Sequence, residues 1–488
     1  MAATADVTNL DNYVATGGGL QAFYESDVSA TLLSQQKPGP AEPWLAESWA
    51  WDEKGLKVRF MLRKDAKFHN GKPVTTDDVK FTTEKVKSPY AIRGVNSATA
   101  RWIKDLQIID DKTFVITLPE VLATGWSTLG ALHIQPRHDP YEVMQKKPIY
   151  AGPYMVAEWR PFESMTMEAS PYFWEPVAVK TIVRMVVPEP ESRLAMLKAG
   201  QIDFMDETQP RQAEDLFKDK RFRVKVTDAG NWAPIIFSTD TPVIPGTDIP
   251  NPFLDVRVRR AFIMALDRKA IFDGVALGKY GKYIPGPWPS SGAGGSEEAK
   301  ITPYPYDPQG AKKLLEEAKF PFDREWPIWV YRTSAGFVES YEVAVAQWNA
   351  IGIKARLRIT EVGTLMSYWQ EIPSRTYPIQ LIRAQLSNEG APPGYVWCTE
   401  AQPECRLSPL GDVKADDWVL KLRTAFDPAE REQIYREVYR YVHDQAVSIP
   451  ALGGVLIHAF NQRVDWEPIP GTMSVRHLWR SKWLQGAP

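Results

Sequence analysis

The stretch LAESWAWDEKGLKVRFMLRKDAKFHNGKPVTTDDVKF, Leu45–Phe81, carries the most concentrated structural signal in the 488-residue chain. Within it, Leu56, Val58, Phe60 and Leu62 alternate with Lys57, Arg59, Met61 and Arg63. Period-two alternation of this kind marks a strand with one buried face. Asp52–Gly55 (DEKG) is a turn, so Glu47–Trp51 and Leu56–Arg63 are read as a hairpin. Asn70-Gly71 makes the next turn. Thr75 then opens a helix, with Asp78 at the spacing of a capping box.

Outward from this segment the chain mixes helix and strand throughout. Asp255 precedes VRVRRAFIMAL, where Val258, Phe262, Ala265 and Leu266 share a face. Arg257, Arg259 and Arg260 fall on its polar side and are read as ion-pair formers. Asp307-Pro308 opens a second helix with Ala311, Leu314, Leu315 and Ala318 inward. Asp427-Pro428 opens a third with Ile434, Val438, Tyr441 and Val442 inward. An Asp cap followed by Pro in the first turn supplies an acceptor for orphan N–H groups and a preset φ. Strand-like runs, Trp329–Tyr331 and Lys354–Ile359 among them, lie between these helices. The pattern is that of an α/β protein with mixed sheets. Ile284–Gly295 (IPGPWPSSGAGG) is the most linker-like segment.

The composition sets limits on function. Lys and Arg number 58 against 60 Asp and Glu, with no basic block or stripe, which argues against a nucleic-acid partner. The longest apolar run, Ile449–Phe460, is too short to span a membrane and contains Pro450, Gly453 and Gly454, so it reads as a bent strand. His69, His133, His138, His443, His458 and His477 are scattered, and no metal-ligand spacing appears. GWSTLG (Gly125–Gly130) is not a nucleophile elbow. GVALGK (Gly274–Lys279) falls one residue short of a P-loop, with Tyr280 where a hydroxyl should hold magnesium. No catalytic residue, metal or cofactor is indicated. Cys398 and Cys405 stand in CTEAQPEC, compatible either with a local disulfide or with two free thiols.

Several segments together resemble the family 5 extracellular solute-binding proteins, the oligopeptide, dipeptide and nickel-binding type. Leu45–Phe81 follows the family signature almost position for position. GPYMVAEW (Gly152–Trp159), SPYFW (Ser170–Trp174), RLAMLKAGQIDF (Arg193–Phe204), Pro252–Gly281 and Asp307–Phe320 resemble further family motifs in the family's order. Most of these motifs encode scaffold rather than ligand contacts.

The resemblance implies a two-lobed periplasmic-binding-protein (Venus flytrap) fold, with a two-strand hinge and an extra domain on the first lobe. By analogy the first lobe takes residues 1–25, 150–233 and 454–488, the extra domain 26–149 and the second lobe 234–453. The hinge is expected near Ala233–Ser238 and Ser448–Gly453. The implied role is that of an ABC-importer receptor, not an enzyme: a solute bound between closing lobes and handed to membrane permease subunits, a separate ATPase driving transport. A monomer is expected, periplasmic, with a signal peptide preceding Met1 in the natural product; a Gram-positive source would imply an extracellular anchored form. A chemosensory ligand presenter or chaperone of the same fold is the alternative, and a periplasmic hydrolase a more distant one.

The ligand class is less determined. Peptide-binding members carry an Asp that pairs with the peptide ammonium. The matching stretch here, Arg383–Pro393 (RAQLSNEGAPP), lacks it; Asn388 or Glu389 stands in the neighbourhood, and Glu389 is a candidate substitute anchor with a longer reach. An unpaired buried ammonium is costly, so a sugar, an opine or another small organic solute competes with a short peptide. Arg383 is a candidate fork for a carboxylate or a structural ion-pair residue. Phe23, Trp126, Trp232 and Trp397 are the aromatic candidates for ligand contact, weighed against ordinary core burial.

Overall fold

The computed structural model describes residues 1–488 apart from 4–8, 15–25, 35–40, 89, 92–101, 122–126, 131, 140, 238, 240–241, 245–247, 291–293, 332–336, 361–378, 382–383, 386–416, 419–420, 423, 469–477 and 485–488. The hairpin forms as read from the sequence: Ala46–Trp51 pairs antiparallel with Lys57–Leu62, Trp51 opposite Val58. Asp52 closes the turn, its carboxylate accepting from Leu56 N at 2.8 Å and Lys57 N at 3.1 Å, while Gly55 takes a φ of 65°. Val58, Phe60 and Leu62 are fully buried and the intervening residues exposed. Thr113–Thr117 and Asp105–Ile108 complete a four-stranded antiparallel sheet.

The helix Thr76–Lys87 packs into the same core through Val79 and Val86. Its cap is built on Asp78. One carboxylate oxygen accepts from Thr75 N (2.9 Å) and Thr75 Oγ1 (2.8 Å), the other from Arg137 N (3.0 Å). Caps of this kind contribute about 1 kcal/mol.

The chain divides into two compact units. Unit 1 comprises Met1–Thr208, Gln212–Lys225 and Ile457–Pro488, and unit 2 comprises Gln209–Arg211 and Val226–Leu456. Apart from the three residues Gln209–Arg211, which group with unit 2, the chain passes from one unit to the other within the strands Phe222–Phe237 and Ser448–Asn461, at 225/226 and 456/457. From sequence these crossings were placed near Ala233–Ser238 and Ser448–Gly453.

The strands Tyr154–Arg160, Ser164–Ala169, Thr181–Val186, Ala2–Ala3, Phe204–Met205 and Ser448–Asn461 lie side by side in that order within an 11-stranded sheet, whose next strand is Phe222–Phe237. Ala2–Ala3 is parallel to both its neighbours, and the other pairings are antiparallel. In unit 2, Lys354–Thr360, Glu325–Tyr331 and Ile379–Leu381 are parallel, and Ile379–Leu381 pairs antiparallel with Phe222–Phe237. Both units thus contain mixed sheets, as expected of the α/β class.

The three Asp caps act as read. Asp255 accepts from Arg257 N, Asp307 from Gly310 N and Asp427 from Ala429 N. Leu314, Ala318 and Tyr441, expected inward, are only half-buried. The arginines after Asp255 differ from their sequence reading. Arg257 does pair with Asp255, but Arg259 is buried and serves backbone carbonyls, Nη1 donating to Phe253 O and Leu254 O and Nε to Gln445 O. Arg260 donates to Asp444 O at 2.8 Å. The physical reason is that the helix Pro428–Asp444 ends here with orphan carbonyls. Tyr304 Oη also donates to His443 O, at 2.6 Å, a carbonyl that already accepts from Ala446 N. Ile284–Gly295 is likewise no linker between units. Both of its ends lie in unit 2, and Ile284 and Trp288 are buried against Tyr435, Val438 and Tyr439. Among the described residues no helix is long and apolar enough to cross a membrane.

Candidate functional site

Trp232 is the one sequence-chosen ligand residue that the structure describes. Phe23, Trp126, Arg383, Asn388, Glu389 and Trp397, with Cys398 and Cys405, lie outside the described residues. Trp232 sits in the strand Phe222–Phe237 and is fully buried in the unit 2 cluster of Ile284, Trp288, Val438 and Tyr439. Burial is the usual fate of so large an apolar ring. Its indole N–H, however, finds no acceptor among the described residues. Alongside, Trp288 and Tyr439 pack edge to face at 4.7 Å, and Tyr439 Oη donates to Trp288 O at 3.2 Å. Glu298 Oε2 lies 3.5 Å from that hydroxyl, and burial raises the Glu298 carboxyl above its ordinary range.

Unit 1 assembles a polar group of a different kind. Strand Phe204–Met205 runs parallel to Ala2–Ala3, and Asp206 follows directly at its carboxyl end. In open α/β sheets this edge is where ligands are bound. The chain turns sharply there. Glu207 has a φ of 53°, Asp206 N donates to Ala2 O at 3.3 Å, and Thr208 N donates to Ile457 O at 2.9 Å. Asp206 Oδ1 accepts from Glu207 N at 2.9 Å and lies 3.1 Å from His458 Nδ1. The His458 ring is 1% exposed, flanked by Phe204 at 5.8 Å and perpendicular to Trp466 at 5.1 Å.

Two opposing influences act on Asp206. Burial raises its carboxyl, while the adjacent His458 imidazole and the charge of Arg184 lower it; the partners win, so it stays ionised below the usual carboxylate range. His458 Nδ1, although 3.1 Å from Asp206 Oδ1, makes no well-aligned hydrogen bond among the described residues. Thr208, 4% exposed, has a hydroxyl without a partner there. The group thus combines a buried acid, a buried imidazole and the nearby Arg184 charge at one strand end. Sequence reading missed it. Asp206 stands two residues beyond the RLAMLKAGQIDF motif, and His458 had no visible partner because the two are brought together only by the pairing of Phe204–Met205 with Ser448–Asn461.

Comparison with known proteins gives one consistent picture. The family model "Bacterial extracellular solute-binding proteins, family 5 Middle" matches residues 41–402. The heme-binding protein A of Haemophilus influenzae is 26% identical over 460 residues, 87% of this chain and 81% of that protein. A probable di/tripeptide-binding protein of Pseudomonas aeruginosa is 25% identical, covering 84% of this chain and 81% of its own. Among solved structures, the binding protein AgaA of A. tumefaciens R10 in complex with agropinic acid superposes with a TM-score of 0.83 at 21% identity, over 100% of this chain and 98% of that one. The fold is accordingly that of the two-lobed periplasmic binding proteins.

Proposed function

Because the chain belongs to the family 5 bacterial extracellular solute-binding proteins, we propose that it is the periplasmic receptor of an ABC importer, capturing a small solute and delivering it to membrane permease subunits. The single observation that carries this is the family match across residues 41–402. The topology supports it: two compact units are joined by two long strands, the arrangement in which a ligand favouring one relative placement of the units shifts their equilibrium. The role is capture, not catalysis.

For the solute we propose a short peptide or a peptide-like zwitterion. A similar protein is named for di- and tripeptides. An opine is the second reading, favoured by the likeness to AgaA with agropinic acid. The test is thermal unfolding after denaturation and refolding to strip carried-over ligand, with di- to pentapeptides, opines and hemin added separately. A solute at a hundredfold excess over its Kd stabilises the native state by about 2.7 kcal/mol, a Tm rise of about 3 °C for a chain of this length. A rise with one class identifies the ligand. No rise with any class refutes the receptor reading for these solutes.

A further inference from the structure

The sequence has nine asparagines, and only Asn70 is followed by glycine. We propose that Asn70 is a site of spontaneous covalent modification, the conversion of its side-chain amide to aspartate and isoaspartate, and that the folded turn around it slows the reaction. The inference goes beyond the receptor reading and stands independently of it.

Asn70 is an exposed tip between anchored neighbours. Phe68 and His69 before it are buried, and so is Val74 after it. Phe68 N closes the loop by donating to Lys72 O at 2.8 Å. Gly71 takes a φ of 81°, the left-handed conformation that glycine adopts without steric cost. A Cβ there would lie 3.0 Å from Cζ of Tyr172, so the ring packs directly against this residue. A glycine also leaves its own nitrogen sterically open to the side-chain amide that precedes it.

The chemistry needs only water. Gly71 N attacks Asn70 Cγ; the new N–Cγ bond forms, the Cγ–Nδ2 bond breaks, and ammonia leaves with the proton from Gly71 N. Water then opens the cyclic imide at one carbonyl to give aspartate, or at the other to give isoaspartate. Two contacts of the fold bear on the rate. Lys72 N donates to Asn70 Oδ1 at 3.1 Å, the oxygen on which negative charge develops during attack. That contact is exposed, and in an unfolded chain water donates to the same oxygen, so it gives little advantage. The nucleophile is restrained more strongly. Gly71 N donates to Phe68 O at 2.8 Å, and it must leave that carbonyl to reach Cγ. The turn therefore has to open before the bond can form, and this local opening sets the rate.

The experiment holds the intact protein in a mildly alkaline buffer beside an end-blocked peptide of Lys67–Pro73 in the same buffer. Protease mapping with mass spectrometry reads the loss of the amide at each asparagine, and enzymatic methyl labelling counts isoaspartate. The expected result is first conversion at Asn70, roughly fivefold or more slower than in the peptide, the factor that one retained backbone hydrogen bond supplies. The rate should rise toward the peptide's in Tyr172→Ala, where the ring packed on Gly71 is gone; Tyr172→Leu serves if Tyr172→Ala fails to fold. A first product at any other asparagine overturns the site. A rate in the intact protein at or above the peptide's, or one unchanged by the Tyr172 substitution, overturns the restraint by the turn.

Discussion

Acidification should weaken this fold through His69. The imidazole is buried and both its nitrogens are used: Nε2 donates to Gly152 O at 3.1 Å, and Nδ1 accepts from Tyr150 N at 3.3 Å. A proton on Nδ1 would face a donor and strip that acceptor away, so only one neutral tautomer fits. Burial accordingly pushes the imidazole from 6.5 down to about 4. Above pH 6.5 neither folded nor unfolded chain holds the proton. Between 6.5 and about 4 the unfolded chain binds it and the folded one does not, so stability falls as pH falls; below about 4 both bind it and the loss is complete. At about 1.4 kcal/mol per pH unit the full loss is about 3 kcal/mol, of which roughly 2.5 kcal/mol should appear between pH 7 and 4.5. The assay is urea unfolding at both pH values for the unsubstituted protein and His69→Gln, whose difference in pH dependence isolates this residue from the carboxylates. Selective carbon-13 labelling of the histidine rings reads the titration directly. If the His69 resonance of the folded protein titrates near 6.5, or both proteins lose equal stability, the reasoning is refuted.

Two other sites yield checks on the scaffold. Lys85 and Asp11 form a fully buried ion pair at 2.6 Å, with Gln135 bonded to both partners and Tyr90 to Asp11. Lys85→Met leaves the carboxylate uncompensated and should cost about 3–5 kcal/mol, part of which returns when Asp11→Asn is added; a single-variant cost under about 1 kcal/mol in denaturant unfolding would contradict this. At Gly286 an added Cβ would fall 1.9 Å from Tyr439 Oη, whereas at Gly274 in the helix Arg268–Val275 it would meet nothing within 4 Å. Gly286→Ala should therefore lose at least about 1–3 kcal/mol, while Gly274→Ala should gain up to about 1 kcal/mol, as read by their Tm values.

Features written within about five residues of chain were legible from the sequence. The Lys57–Leu62 strand, the Asp52 turn, the Asp78 box and the Asp255, Asp307 and Asp427 caps each depend on side chains and backbone groups close in sequence. Alternation and capping are local physics, so composition and spacing determine them, and the family motifs fixed their order along the chain. Only tertiary structure could say that Arg259 serves carbonyls at the ends of two helices rather than an acid, or that His69 is satisfied by Gly152. The same holds for Trp232, an aromatic candidate for ligand contact whose burial among Trp288 and Tyr439 was set by packing. Asp206 follows one strand and His458 lies in another, and the two strands, far apart in sequence, pair in one sheet. Which distant groups meet depends on strand order and register, and a long-range pairing leaves no periodicity in the chain that forms it.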